Sequence, residues 1–166
     1  MRMKFCPICA GALQNKEIDA SQRLICSNQN CGYVYWNNPV PVVAALVEYQ
    51  GAYIVARNVQ WPKHIYSVIS GYLEAGESPE QAVLREVNEE LGLTGEIVQL
   101  IGNYAFTKKN QIMLAYEVTA SGVITKNHEL ADIKLLSRDE LINYDFGPLL
   151  ITKNLLEDWK CINHLI

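Results

Sequence analysis

The sequence predicts an α/β domain preceded by a small zinc ribbon. Two close pairs of cysteines lie in the first 31 residues, and such pairs are typical of a zinc site. Two runs rich in β-forming residues, Val42 to Glu48 and Tyr53 to Arg57, follow with a turn between them, which predicts a hairpin. A helix is predicted over Ser78 to Leu91, and its apolar stripe indicates packing on a sheet.

Length and composition narrow the class of protein. The 166 residues suit one ordinary domain with a small appendage, and 49% hydrophobic residues indicate a normal core. A net charge of −4 makes nucleic acid an unlikely partner, because non-specific binding to phosphate backbones needs clustered basic residues. No apolar run reaches the roughly 18 residues of a membrane-spanning helix, and the N-terminus lacks the apolar core of a secretory signal. We therefore expect a cytoplasmic protein without a membrane partner.

Four cysteines predict a structural zinc domain over residues 1–36. Cys6 and Cys9 form one pair, and Cys26 and Cys31 form the second after a 16-residue spacer. Each turn offers two thiolates, and the spacer is long enough for a hairpin that brings the turns together. The alternative is four reduced thiols in a disordered arm. The near-neutral charge of this segment favours a role in packing or dimerisation over nucleic-acid binding.

Residues 37–166 are predicted to form the main domain. Its helix begins with Ser78 as the cap, Pro79 at the first helical position and Gln81 completing a capping box. Gly92 supplies the stop. Further strands and a last helix are predicted at Ile65 to Ser70, Glu96 to Tyr104, Gln111 to Ala120, Ile133 to Leu136, and around the stripe Ile151, Leu155 and Trp159.

Three acidic residues crowd the end of the predicted helix. Glu86, Glu89 and Glu90 are related by spacings of three and four, so they share one helix face. Like charges so arranged repel each other, and this repulsion favours the binding of a multivalent cation between them. Carboxylate oxygens suit Mg²⁺ or Mn²⁺. The alternative is a solvated face of an amphipathic helix.

A wider pattern surrounds these glutamates. Reading G-x5-E-x7-R-E-U-x-E-E-x-G-U with U apolar, every fixed position is filled by Gly71, Glu77, Arg85, Glu86, Val87, Glu89, Glu90, Gly92 and Leu93. The pattern resembles the Nudix box of hydrolases that cleave nucleoside diphosphates linked to another group. The four-cysteine segment followed by Asn38-Pro39 resembles the zinc-ribbon subgroup, which contains NADH pyrophosphatases and plant-type FAD and ADP-ribose pyrophosphatases.

The resemblance implies a fold and a set of roles. The fold is an α/β/α sandwich with a mixed sheet. Glu86, Glu89 and Glu90 would ligate Mg²⁺ or Mn²⁺, and Glu77 would assist. Arg85 would orient Glu86, and the backbone at Gly71 would offer a carbonyl to the metal. The expected activity is hydrolysis of the diphosphate in a compound of the FAD, ADP-ribose or NADH type. A homodimer is also implied.

The residues that select the organic half of the substrate are less well marked. NADH pyrophosphatases have SQPWPFPxS after the box, where this chain has GNYAFTKKN, so FAD and ADP-ribose rank above NADH. Tyr104 and Phe106 could stack on a ring, and Lys108 with its neighbour could meet phosphates, or this stretch is a solvated hairpin tip. Glu117 and Glu129 are each an additional metal ligand or plain surface. The runner-up function is a non-catalytic nucleotide-sensing regulator.

Overall fold

The computed structural model describes residues 3–165, and the chain divides between Asn38 and Pro39 into two compact units. This division falls two residues beyond the predicted boundary at residue 36. Across the described residues, no helix is both long and apolar enough to cross a membrane.

The first unit is a three-stranded antiparallel sheet. Its strands are β1 (Leu13–Ile18), β2 (Ser21–Cys26) and β3 (Val34–Tyr35), with β2 in the centre. The sulfurs of the four predicted zinc ligands all lie within 4.8 Å of one another. Sγ of Cys6 lies 3.6 Å from that of Cys31, and Sγ of Cys9 lies 3.4 Å from that of Cys26. The cluster is consistent with a zinc ribbon.

Backbone N–H groups point at these sulfurs. The N–H of Ile8 donates to Sγ of Cys6 and that of Asn28 donates to Sγ of Cys26, each at 3.4 Å. A backbone hydrogen bond at Gly11 lowers the pKa of Cys9 to about 7. Such donors favour the thiolate, which is the form that ligates metal. At Cys26 burial outweighs the donor and raises the pKa to about 12, and a bound cation would oppose that shift.

The second unit is a mixed six-stranded sheet with helices on both faces. The strands are β4 (Val40–Tyr49), β5 (Ala52–Asn58), β6 (Ile69–Tyr72), β7 (Thr94–Phe106), β8 (Gln111–Ser121) and β9 (Leu130–Leu136). The helices are α1 (Pro79–Leu91), α2 (Arg138–Ile142) and α3 (Leu150–Ile162), and a short 3-10 turn covers Thr107–Lys109. The order is β7-β8-β4-β5-β9, with β6 also paired to β4. Because β4 and β8 are parallel and the other pairs are antiparallel, the sheet is mixed, as predicted.

The central strand β4 separates two cores. Its continuous apolar run suits a strand that is buried on both faces. Val43, Ala45 and Val47 pack with α1 on one side, whereas Ala44 and Leu46 pack with α2 and α3 on the other. The predicted α/β/α sandwich is therefore confirmed.

Helix α1 begins and ends as its sequence predicts. The Ser78 side chain accepts the N–H of Gln81, and the Gln81 side chain accepts the N–H of Ser78. Gly92 has φ of 68°, a left-handed conformation that glycine adopts without strain. Its buried residues include Val83, Val87 and Leu91, so the predicted stripe does lie on the sheet.

The third predicted strand is wrong in position. The sequence predicts a strand at Ile65 to Ser70, but the strand in the structure is Ile69–Tyr72, which pairs with β4. Ser67 instead forms an isolated bridge with Ala56 of β5. The residues before Ile69 are buried, so their apolar pattern reflects burial in the core rather than membership of the strand.

We expect about one zinc ion per chain in freshly purified protein, as elemental analysis would measure. Cys26→Ser should lose the zinc and destabilise the first unit, because three ligands and a hydroxyl do not replace four thiolates. Cys161→Ser is the matched control, since Cys161 is exposed on α3, and it should retain the metal. Zinc-free wild-type protein would contradict the assignment.

Candidate active site

Arg85 joins the loop before α1 to the acidic face of that helix. Its Nε and Nη2 donate to the two carboxylate oxygens of Glu77 at 3.1 and 2.7 Å. Nη1 donates to Glu86 at 2.8 Å and to Glu89 at 3.0 Å. Nη2 also donates to the backbone carbonyl of Tyr72 at 3.0 Å. One planar guanidinium therefore holds three of the predicted site carboxylates and the end of β6.

Glu86 lies directly against the backbone of Gly71. A Cβ atom at Gly71 would overlap the Glu86 carboxylate, so a larger residue there would displace it. This explains in physical terms why the box begins with glycine. The contact also brings the backbone expected to lend a carbonyl next to an expected metal ligand.

Glu90 is buried, with 8% of its surface exposed, whereas Glu89 is exposed. Burial, followed by the charges of Glu86, Glu129 and Glu89, raises the pKa of Glu90 to about 8. Burial also raises the pKa of Glu86, although Arg85 opposes that shift. Among residues 3–165 no group donates a hydrogen bond to the Glu90 carboxylate. The site therefore contains a buried acid without a partner of opposite charge.

The loop between β8 and β9 closes over the end of α1. The N–H groups of Thr125 and Asn127 donate to the carbonyls of Leu91 and Glu90 at 2.7 and 3.0 Å. The loop ends at Glu129, whose charge raises the pKa of both Glu86 and Glu90. Glu129 therefore belongs to the same acidic cluster.

A small cleft opens beside Glu90, with a volume of about 40 Å³. Besides Glu90, its lining residues are Ala56, Asn58, Trp61, Val68, Ser70 and Leu130. Asn58, Trp61 and Ser70 were not among the predicted site residues. Asn58 and Trp61 lie at the end of β5 and just after it, and Ser70 lies in β6. No local spacing in the sequence marks them as neighbours of the acidic helix.

The predicted substrate residues on β7 lie away from the acidic cluster of α1. Tyr104 packs against the core that contains α3, and its hydroxyl donates to Oδ2 of Asp158 at 2.7 Å. Burial raises its pKa. Phe106 follows two residues later on the same face of β7, with Nζ of Lys109 5.6 Å from its ring centroid. Lys108 is exposed. Tyr104 and Phe106 are therefore on the opposite face of the sheet from α1.

Glu117 is likewise separate from the acidic cluster. It is 7% exposed, and one of its oxygens accepts a hydrogen bond from Gln99 at 2.7 Å. Ala115, two residues before it on β8, packs in the core on the α3 side. Glu117 shares that face by strand alternation, away from Glu86 and Glu90.

A family model described as the NUDIX domain matches residues 38–155. The chain belongs to the NUDIX family. The predicted membership, made from the spacing of Gly71, Glu77, Arg85 and the glutamates, is confirmed. The matched segment includes the acidic helix and the loop at Glu129.

Relatives with curated names resemble the chain over most of its length. The chain is 29% identical over 140 residues to "NAD-capped RNA hydrolase NudC" of Pseudomonas aeruginosa, with 83% of this chain and 49% of the relative covered. It is 29% identical over 163 residues to "NAD-capped RNA hydrolase" of Schizosaccharomyces pombe, with 85% and 42% covered. The chain thus spans about half the length of the curated relatives it matches.

Solved structures confirm the fold. A NUDIX hydrolase from Nitrosomonas europaea superposes with a TM-score of 0.79 at 21% identity, with 93% of this chain and 89% of that chain covered. An ADP-ribose pyrophosphatase from Streptococcus suis superposes with a TM-score of 0.56 at 20% identity, with 73% and 87% covered.

Replacing Arg85 by Lys should destabilise the protein by about 1 to 3 kcal/mol at neutral pH, because an ammonium cannot make five planar contacts. Arg85 lowers the pKa of Glu77, so this contribution is present above the pKa of Glu77 in the unfolded chain. The contribution is lost as the pH falls through the pKa of Glu77 in the folded protein, which is the lower of the two. Urea unfolding measures the difference. Lys63→Arg, at an exposed position between β5 and β6, should have little effect, and equal effects of the two substitutions would contradict the bridging role.

The raised pKa of Glu90 predicts a pH dependence of stability without divalent cations. Between its ordinary value of 4.5 and about 8, the folded state binds more protons than the unfolded state, so stability falls as the pH rises through that window. In EDTA at pH 8, Glu90→Gln should raise the free energy of unfolding by on the order of 1 to 3 kcal/mol. Glu96→Gln, at an exposed position of β7, is the control. A mutant no more stable than wild type at pH 8 would refute the electrostatic interpretation.

Proposed function

We propose that the chain is a metal-dependent NUDIX hydrolase that cleaves the diphosphate linkage of a nucleoside diphosphate derivative. The observation that carries the proposal is the buried Glu90 carboxylate, which lies in one acidic cluster with Glu86 and Glu129. Burial first, and then the neighbouring negative charges, raise the pKa of Glu86 and Glu90. A buried acid without a positive partner costs stability, and a divalent cation would reverse that cost.

The donors of the acidic cluster are carboxylate oxygens, a type of ligand that suits Mg²⁺ or Mn²⁺. Both ions prefer oxygen ligands and commonly leave coordination positions to water and substrate phosphates. Glu86, Glu89 and Glu90 would hold the ion, and the Gly71 backbone beside Glu86 would lend a carbonyl. When bound, the ion polarises the phosphate and activates a water molecule. The four cysteines of the first unit would hold zinc in a structural role.

The residues of the chain prepare this site before any substrate enters. Arg85 fixes Glu77 and Glu86 by hydrogen bonds of 2.7 to 3.1 Å, so neither side chain must be ordered during the reaction. Asn58 and Ser70 line the cleft beside Glu90, and both side chains can donate hydrogen bonds to phosphate oxygens. The loop between β8 and β9 covers the end of α1, and its hydrogen bond from the N–H of Asn127 to the carbonyl of Glu90 keeps Glu90 in place.

The substrate class rests on the pyrophosphate linkage shared by FAD, ADP-ribose and NADH. The curated relatives named for NAD-capped RNA add a nucleotide of the same linkage attached to RNA. A non-catalytic nucleotide sensor is the competing function. It has no need of Glu77, Arg85, Glu86, Glu89 and Glu90 together, and their retention with ordered contacts favours hydrolysis.

The direct experiment is incubation of the purified protein with Mg²⁺ or Mn²⁺ and a panel of FAD, ADP-ribose, NADH and a short NAD-capped RNA. We expect release of a nucleoside monophosphate from at least one of the small compounds. An absence of turnover across the panel, with the divalent ion shown to bind by calorimetry, would favour the sensor.

Glu89→Gln should lower the rate on the preferred substrate by more than roughly 100-fold, the scale of several kcal/mol of charge stabilisation by a metal. Glu89 is exposed, so the loss should occur without a comparable loss of stability. Glu96→Gln removes one exposed carboxylate from β7 and should retain nearly the full rate. Similar rates for the two variants would mean that Glu89 is outside the catalytic set.

A further inference from the structure

Trp61 lines the same cleft as Glu90. It lies in the segment between β5 and β6, and 36% of its surface is exposed. The cleft therefore combines a buried acid of the expected metal site with a large aromatic ring that still faces solvent. None of the contacts around Arg85 uses this ring.

The size of the cleft decides what can occupy it. A volume of about 40 Å³ has room for an ion or a few water molecules, since one water needs roughly 10 to 15 Å³ of such space. Sites that enclose a whole organic ligand measure roughly 300 Å³ or more. The cleft is thus too small to enclose a base, and a nucleotide whose diphosphate reaches Glu90 would place its base over the exposed rim.

The segment that carries Trp61 is held by its own hydrogen bonds. The N–H groups of Gln60 and Trp61 donate to the side-chain and backbone oxygens of Asn58 at 2.9 and 3.0 Å. The N–H of Val59 donates to the carbonyl of Glu129 at 2.8 Å, and the N–H of Ile65 donates to that of Pro62 at 3.0 Å. The backbone that carries the indole is thus fixed before a ligand arrives, which lowers the entropy cost of ordering this segment on binding.

We propose that Trp61 is the stacking surface for the aromatic base of the nucleotide substrate, and this role rests on the proposed hydrolase function. An indole offers a flat apolar face, and base–aromatic stacking tolerates different bases because each has a π face. Trp61 then contributes to binding of the organic half, while the carboxylates act on the diphosphate. It is a substrate-binding residue that does not contact the reacting phosphorus.

The test uses AMP and ribose 5-phosphate as probes of the full-length protein in Mg²⁺. They share the phosphate and the sugar, and only AMP has a base. The chain has three tryptophans, so AMP should quench part of the intrinsic fluorescence of wild type, and Trp61→Phe should lose that part. Trp36→Phe, which removes an exposed indole of the first unit, should keep it. Ribose 5-phosphate should quench in none of the variants.

Affinity separates stacking from a purely structural role. By calorimetry, Trp61→Ala should raise the Kd for AMP roughly 10-fold, and Trp61→Phe should restore most of the affinity because a phenyl ring still stacks. The Kd for ribose 5-phosphate should stay unchanged in both variants. Equal weakening of the two probes, or an unchanged Kd for AMP, would overturn the proposal.

The two proposals can fail separately. If wild type hydrolyses members of the panel but Trp61→Ala binds AMP as wild type does, the stacking role is wrong and the hydrolase remains. If nothing is hydrolysed but AMP affinity depends on Trp61 as described, the aromatic site stands and the catalytic function fails.

Discussion

The guanidinium of Arg85 makes five hydrogen bonds at the point where β6, the following loop and α1 meet. Because its donors lie in one rigid plane, it can bind both oxygens of Glu77 while a third nitrogen reaches Glu86. The loop and the helix face are thereby held together through charge. Without this bridge the loop carboxylate and the helix carboxylates would repel each other, and the acidic face would lose its fixed geometry.

Arg85 does not pair with every carboxylate of the acidic cluster, and the carboxylate that it leaves unpaired determines the chemistry. Glu77 is paired, and its pKa is lowered. Glu90 lies one helical turn from Glu86 and deeper in the protein, and its pKa is raised to about 8. The same short segment thus contains an acid stabilised by a side chain and an acid that still lacks positive charge. A divalent cation suits the environment of Glu90, whereas the pairing of Glu77 with Arg85 serves to position ligands.

Local features of the sequence predicted much of this arrangement. The capping box at Ser78, the stop at Gly92 and the shared face of Glu86 and Glu90 depend on contacts within a few residues, so spacing alone reveals them. The shifted third strand was not predictable in the same way. Its start is set by which residues reach β4, and burial before Ile69 resembles strand burial in the sequence.

The face of the sheet on which the predicted substrate residues lie could not be derived from the sequence either. Tyr104 is aromatic and near the box in order of elements, yet strand alternation places it with Asp158 on the α3 face. Whether a residue of a long strand faces one core or the other depends on register, and β7 shifts its register twice against β8. A count of residues along the sequence therefore does not give the face of a residue beyond a bulge.

The cleft beside Glu90 arises because strands β5 and β6 both pair with the same strand, β4. Both β5 and β6 pair with β4, β5 along Val47 to Tyr49 and β6 along Val42 to Ala45. Beyond those pairs, Ala56 of β5 is bridged to Ser67, which precedes β6, and the sheet opens at Ser70 and Asn58. Glu90 lines that opening from α1, and Trp61 lines it from the β5–β6 connection. The sheet topology itself therefore brings an acidic ligand and an aromatic ring to one opening, although they are 29 positions apart in the sequence.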